Sequence, residues 1–308
     1  MISRRGFLQS AAAAAAVTAL YGQSNEWGTP VFDLHHHPRQ QAASSIAHQD
    51  GAGVTKANLL GASLAQFKAV EALAPGRFTW FARADITKPE AVATLTQAAK
   101  DGAQGLGELK HHVAADGPEL SRMYDLAAEL NVPILVHFQE VDHFENEGKW
   151  ASGYATNFEK VVKAHPKTKF IAHADAFWAN VSADYHNEAA YPSGPIKKGG
   201  ISDKLLSDYA NFYGDCSANS GNNALSRDAE FTKDFLKRHQ DKLMFGSDCR
   251  CSNGHGAGIS QANNPAAARL AGQCVARATL GVLKASSTSA VLRKIAWDNA
   301  HKLLKIPA

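Results

Sequence analysis

Four separated segments end an apolar run on a residue that can bind a metal ion. They are Asp33-Leu34-His35-His36-His37, Ile134-Leu135-Val136-His137, Phe170-Ile171-Ala172-His173 and Met244-Phe245-Gly246-Ser247-Asp248. A fifth, Gly105-Leu106-Gly107-Glu108-Leu109-Lys110, ends on a carboxylate and an amine. Imidazole nitrogens and carboxylate oxygens are the donors of Zn2+ sites first, with Mn2+ or Fe2+ as alternatives. One or two such ions would activate water for hydrolysis, by bringing its pKa from 15.7 down to about 7. Any single match is weak, but strands that finish on a ligand at the same end imply one shared site at the mouth of a parallel barrel.

Strict alternation along the first segment turns Asp33, His35 and His37 inward and Phe32 and Leu34 outward. His35 and His37 then face one ion, His36 is a bystander, and Asp33 supports a ligand rather than being one. His137, His173 and Asp248 join them. The Asp248 strand is apolar throughout, where a carboxylate needs a partner, hydrogen bonds or metal. Glu108 and Lys110 share a face. Either Glu108 or a carbamylated Lys110 would bridge two ions, or the two would pair with each other. Asp248 is the candidate general base and His173 a ligand or a catalytic group acting on the carbonyl. Arg250, Lys110 and Trp178 are candidate substrate contacts, and Asp215 and Cys216, at the end of strand seven, are expected to pack behind the ligands and support them rather than line the pocket.

These side chains need a frame. Strand patterns cover Val31–His37, Lys56–Ala62, Phe78–Asp85, Ala103–Lys110, Val132–Phe138, Lys169–Asp175, Asn211–Ser217 and Lys242–Asp248. Helical patterns lie between them, as at Leu64–Ala74, Pro89–Lys100, Glu119–Leu130 and Asn157–Ala164. Eight strands with helical crossovers predict a single-domain α/β fold, a (β/α)8 TIM barrel, over residues 25–308. Long loops after strands five, six and eight would crown the site, the strand-six loop forming a lid or wall with Trp178, Tyr185, His186, Tyr191 and Pro192.

The 308 residues are 45% hydrophobic and 20% charged, ordinary for a globular chain, and the net charge of +3 gives no reason to expect nucleic acid or a membrane surface as partner. Ser3-Arg4-Arg5-Gly6-Phe7-Leu8-Gln9 and the apolar run Ala11–Leu20 read as a twin-arginine signal peptide over residues 1–24, too short to span a bilayer. The chain is therefore expected to meet the Tat machinery, cross folded, and work in the periplasm or outside the cell without a stable membrane anchor. The four cysteines are expected as buried free thiols, and His48, His165, His239 and His301 as surface residues. A homo-oligomer is left open.

Gly53-Val54-Thr55-Lys56-Ala57, Pro75-Gly76-Arg77-Phe78, Ala127 through His137 and Asn299-Ala300-His301-Lys302-Leu303-Leu304 resemble the phrasing of the amidohydrolase superfamily. The likeness is to its amidohydrolase-2 branch of lactonases and non-oxidative decarboxylases. The resemblance implies His35, His37, His137 and Asp248 as metal ligands and His173 as a second-ion ligand or proton donor. It implies hydrolysis of a small-molecule lactone, ester or amide, or alternatively decarboxylation of an aromatic or unsaturated acid. A third reading is an exported metal-binding barrel without activity.

Overall fold

The computed structural model describes residues 26–142, 148–259 and 268–306, so the expected leader lies outside the described residues. Eight parallel strands form one sheet in sequential order: β1 (Phe32–His36), β2 (Lys56–Leu60), β3 (Phe78–Ala82), β4 (Gly105–Leu109), β5 (Pro133–His137), β6 (Lys169–His173), β7 (Phe212–Asp215) and β8 (Leu243–Met244). The chain beyond β8 runs on beside β1. Leu34 N–H donates to the Phe245 carbonyl at 3.0 Å and Asp248 N–H to the His35 carbonyl at 2.7 Å, which closes the barrel. The expected TIM barrel is therefore the fold.

Helices fill the crossovers: α1 (Ala42–Ala52), α2 (Leu64–Leu73), α3 (Ala91–Lys100), α4 (Pro118–Leu130), α5 (Tyr154–Ala164), α6 (Asp175–Ala179), α7 (Ile201–Asp208), α8 (Ala218–Arg227) and α9 (Ala229–Arg238). After β8 come α10 (Val275–Ser286), α11 (Ser289–Arg293), a π-helical turn (Lys294–Asp298) and α12 (Asn299–Leu304). Local chemistry sets their ends. Ser63 and Gln66 form a capping box at the start of α2, and Pro118 opens α4, where a missing N–H leaves no bond unmade.

Two apolar layers result. Phe32, Leu34, Leu60, Phe81, Leu135, Ile171 and Met244 fill the barrel, which α12 closes from below with Ala300, Leu303 and Leu304. Leu59, Trp80, Leu106, Ile134, Val136, Phe170 and Ala172 face the helices. Phe32 and Leu34 thus point inward, opposite to the expectation. The cause is a β-bulge: Asp33 stands opposite Ala57 but His36 opposite Leu59, so β1 carries one extra residue there. Asp33 consequently faces α1, where the Gln49 amide donates to it at 3.2 Å, and the bulge swings His35 back into the barrel mouth. A second bulge lies in β4, where Leu106 pairs with Ile134 and Leu109 with Val136. Leu106 and Leu109 both belong to the outer layer, which leaves Glu108 inward.

Three of the four histidines expected at the surface are buried and the fourth is half-buried. His239 pairs with Asp203 at 2.6 Å, His301 lies against the Trp297 carbonyl and the Phe32 ring, His48 sits on the inner face of α1, and His165 is half-buried beside Asp125. Asp203, Asp125 and the Phe32 ring reach these histidines by tertiary contact, which a helical sequence pattern does not display. His36, expected to face away as a bystander, is buried against the His48 ring.

Candidate metal centre

β5 and β6 place two candidate ligands by register alone. Leu135 pairs with Ile171 inside the barrel, and two residues on His137 pairs with His173 on the same face. The two bulges add His35, His37 and Glu108. Asp248 arrives from the closing segment with φ of 43°, a left-handed conformation that a non-glycine residue adopts only when its surroundings hold it. Its N–H bond to His35 is one such restraint. At Gly246 an added Cβ would stand 2.3 Å from Asp215 Oδ1 and 2.8 Å from His35 Cβ. Glycine there lets Asp215 and His35 approach.

Hydrogen-bond partners assign the imidazole tautomers. His35 Nδ1 donates to Asp215 Oδ2 at 2.6 Å and His37 Nδ1 to the Leu60 carbonyl at 3.1 Å. His173 Nδ1 lies 2.9 Å from Ser217 Oγ and 3.2 Å from Asp215 Oδ2. All three Nε2 lone pairs therefore face the mouth, where the other groups are also acceptors. His35 Nε2 and His37 Nε2 are 3.2 Å apart. His37 Nε2 is 3.3 Å from Glu108 Oε2 and 3.5 Å from Asp248 Oδ1. His173 Nε2 is 3.6 Å from Glu108 Oε1 and 3.9 Å from Asp248 Oδ2. Bonds of about 2.0–2.2 Å from a divalent ion to N and O place neighbouring donors roughly 3–3.6 Å apart, so the set fits one. Nitrogen lone pairs and carboxylates gathered at this spacing are a donor set suited to a divalent cation.

The donors fall into overlapping groups: His35, His37 and Glu108; His35, His173 and Asp248; and Glu108, His137 and His173. His137 differs from the rest. Its Nδ1 is 2.6 Å from Glu108 Oε1, the distance of a direct charge-assisted hydrogen bond, and its Nε2 is 2.9 Å from Gln139 Oε1.

Electrostatics agree. Burial alone would lower the His35 pKa, but Asp215, Asp248 and Glu108 together raise it to about 10, because their field favours positive charge at this point. Burial works against ionisation of Asp215 and Glu108 too, yet the imidazoles around each hold both below the usual carboxylate range. His173 is lowered by burial and by His35.

Among the expected substrate contacts, Trp178 is in the core, 1% exposed, and its indole N–H donates to the Asp215 carbonyl at 2.9 Å. The short helix α6 turns it inward, so it steadies β7 instead of lining a pocket. Lys110 lies beyond the end of β4, exposed, with Nζ 5.8 Å from the centroid of the Trp150 ring, and Glu108 rather than Lys110 stands among the mouth imidazoles. Arg250 is exposed, two residues beyond Asp248. Asp215 stands behind the mouth imidazoles as expected, one oxygen facing Nδ1 of both His35 and His173 and accepting from Ser217 at 2.7 Å. Its position at a strand end was the signal for it; Ser217 and Gln139 had none.

The chain matches the amidohydrolase family over residues 37–306 and the twin-arginine translocation signal sequence over residues 1–21. No curated protein matches it. Solved structures share the fold. A probable 2-pyrone-4,6-dicarboxylic acid hydrolase from Acinetobacter baumannii is 13% identical, covers 90% of this chain and 100% of its own, with TM-score 0.57. 2,6-Dihydroxybenzoate decarboxylase from Rhizobium is 15% identical, with coverages of 90% and 99% and TM-score 0.54. 5-Carboxyvanillate decarboxylase from Novosphingobium aromaticivorans, complexed with manganese, is 12% identical, with coverages of 93% and 99% and TM-score 0.54.

Proposed function

This chain belongs to the amidohydrolase family, and we propose that it is an exported, metal-dependent hydrolase of a small-molecule lactone, ester or amide. One observation carries the reading: Glu108 is common to two of the donor groups, so a carboxylate at the centre can be shared by two ions. Divalent ions held there would supply hydroxide at neutral pH and neutralise charge developing on the substrate oxygen. In this assignment His35, His37 and Asp248 would hold one ion and His137 and His173 the other, with Glu108 within reach of both groups. Zinc suits these donors best, with manganese or iron(II) as alternatives.

The exposed edge of the cluster locates the chemistry. The side chains of His37 and Asp248 are 34% and 26% exposed, against 0% for His35 and 1% for His173. Water and substrate therefore arrive beside Asp248, whose Oδ2 takes the proton from the nucleophile and returns it to the leaving group. His173 lies on the far side, 3.9 Å from that oxygen, and stabilises the cluster from beneath. Arg250 and Lys110 flank the same end of the barrel as contacts for an anionic portion of the substrate. The signal sequence supports periplasmic or extracellular action.

Those exposed cations, together with the decarboxylases among proteins of this fold, favour a second reading: non-oxidative decarboxylation of an aromatic or unsaturated acid, with Asp248 as the proton donor. Product analysis separates the two. Metal-loaded protein assayed on lactones, esters and amides should release acid without CO2, and Asp248→Asn should abolish turnover with the fold intact. CO2 from hydroxybenzoates with no hydrolysis would replace the first reading by the second.

A further inference from the structure

We propose a second metal site outside the barrel mouth, a Cys3His zinc site formed by His48, Cys249, Cys251 and Cys274. These residues come from three places: the inner face of α1, the segment directly after Asp248, and the residue that caps α10. All four are buried, and one donor atom of each lies within 4.8 Å of the others. Cys249 Sγ is 3.4 Å from Cys251 Sγ and 3.8 Å from Cys274 Sγ, and Cys251 Sγ is 3.4 Å from His48 Nδ1. Tetrahedral zinc with bonds of about 2.3 Å to sulfur and 2.0–2.1 Å to nitrogen separates its donors by roughly 3.5–3.8 Å. Buried thiols that only pack would turn their sulfurs into separate apolar contacts. Here they converge on one point.

The surroundings are shaped to the same end. Three thiolates and a dication leave one negative charge, and the Arg39 guanidinium compensates it, donating to the carbonyls of Cys249 and Cys251. Cys274 stands at the N-terminus of a twelve-residue helix, which favours thiolate. The glycine-rich segment Asn253–Gly258 gains a purpose. A Cβ on Gly254 would meet the backbone of α1 at 2.3 Å, and one on Gly256 would meet the Gly272 carbonyl at 2.1 Å. Glycine at these points lets the segment bearing Cys251 press against the helix bearing His48 and the turn bearing Cys274. Zinc entry releases the three thiol protons to solvent. His48 Nδ1, 3.0 Å from the Cys251 carbonyl, becomes a ligand by a change of tautomer in which the one imidazole proton moves from Nδ1 to Nε2. Sulfur donors select zinc over manganese, so this site and the barrel can differ in metal.

The whole chain, purified under reductant and saturated with zinc, tests this by X-ray absorption at the zinc edge. The expected result is a sulfur shell at about 2.3 Å, which no group in the barrel mouth can provide. Cobalt(II) loading should show thiolate charge-transfer absorption in the near ultraviolet. Cys274→Ser should bind one ion fewer per chain and lose the sulfur signal, and the wild-type spectra stand even if that variant fails to fold. A zinc shell of nitrogen and oxygen alone, or a disulfide within the three cysteines in exported protein, would overturn the proposal.

Discussion

Asp215→Asn tests the orientation of the barrel ligands most directly. One buried oxygen, Asp215 Oδ2, receives the Nδ1–H of His35 at 2.6 Å, stands 3.2 Å from Nδ1 of His173, and accepts from Ser217 at 2.7 Å. Asparagine keeps the shape but not the charge, and a single amide oxygen forms only neutral hydrogen bonds to the imidazoles. Loss of such a partner behind one metal-bound histidine typically lowers metal affinity 10- to 100-fold. Two histidines share this partner, so a loss near 100-fold is expected, about 2.7 kcal/mol. Competition with a fluorescent chelator at pH 7.5 would measure the zinc affinity, and circular dichroism would confirm an intact fold. Ser217→Ala, which removes a bond to Asp215 but leaves its charge, should weaken binding by well under tenfold. If folded Asp215→Asn bound zinc within about threefold of the wild type, the imidazoles would not depend on this carboxylate and the tautomer assignment would fail.

Three further outcomes are expected. Glu108→Gln should lower the number of ions held by the nitrogen and oxygen donors from two to one, read by metal analysis of the dialysed protein; an unchanged count would remove Glu108 as the bridge. Gly246→Ala forces a Cβ to within 2.3 Å of Asp215 Oδ1 and should destabilise the chain by about 1–3 kcal/mol in thermal melts. Asp203 is held at about 2, since its bonds to His239 and Arg238 outweigh burial, which acts to raise it from 3.8. A depressed carboxyl stabilises the fold above its unfolded pKa. Asp203→Asn should therefore lose about 1–2 kcal/mol in urea titrations at pH 7, with the gap to wild type closing as pH falls from about 4 to 2.

Much of the barrel was legible because parallel strands buried on both faces read as short apolar runs, several of which end on a candidate ligand. Leu135 and Ile171 carried His137 and His173 to the correct face by alternation alone. The same rule misassigned Phe32 and Leu34, because a bulge adds a residue without any mark in sequence. Alternation would put Glu108 on the face of Leu106, and a second bulge turns it inward instead. Trp178 looked like a pocket residue by position in a long loop, yet α6 turns it into the core. His48 and Cys274 are 226 residues apart in the chain, and no local pattern joins them. Their meeting depends on close backbone approach at Gly254 and Gly256, which sequence shows only as glycine.

The two sites are joined by adjacent residues. Asp248 faces the barrel and Cys249 turns the other way, while Arg39, two residues past His37, donates to the carbonyls of Cys249 and Cys251. An ion on the cysteines would therefore fix the segment that holds Asp248 at φ 43°, and so the direction of the proposed base. Thiolates bind zinc only while reduced, which places loading of that site before export and fits a leader of the kind that carries folded chains. It also orders the removal of metal. A mild chelator should strip the nitrogen and oxygen donors first, ending activity with the melting temperature little changed, and a stronger one should then take the sulfur-bound ion and loosen the fold. Loss of fold and activity together at the first step would show that the two sites do not hold their ions independently.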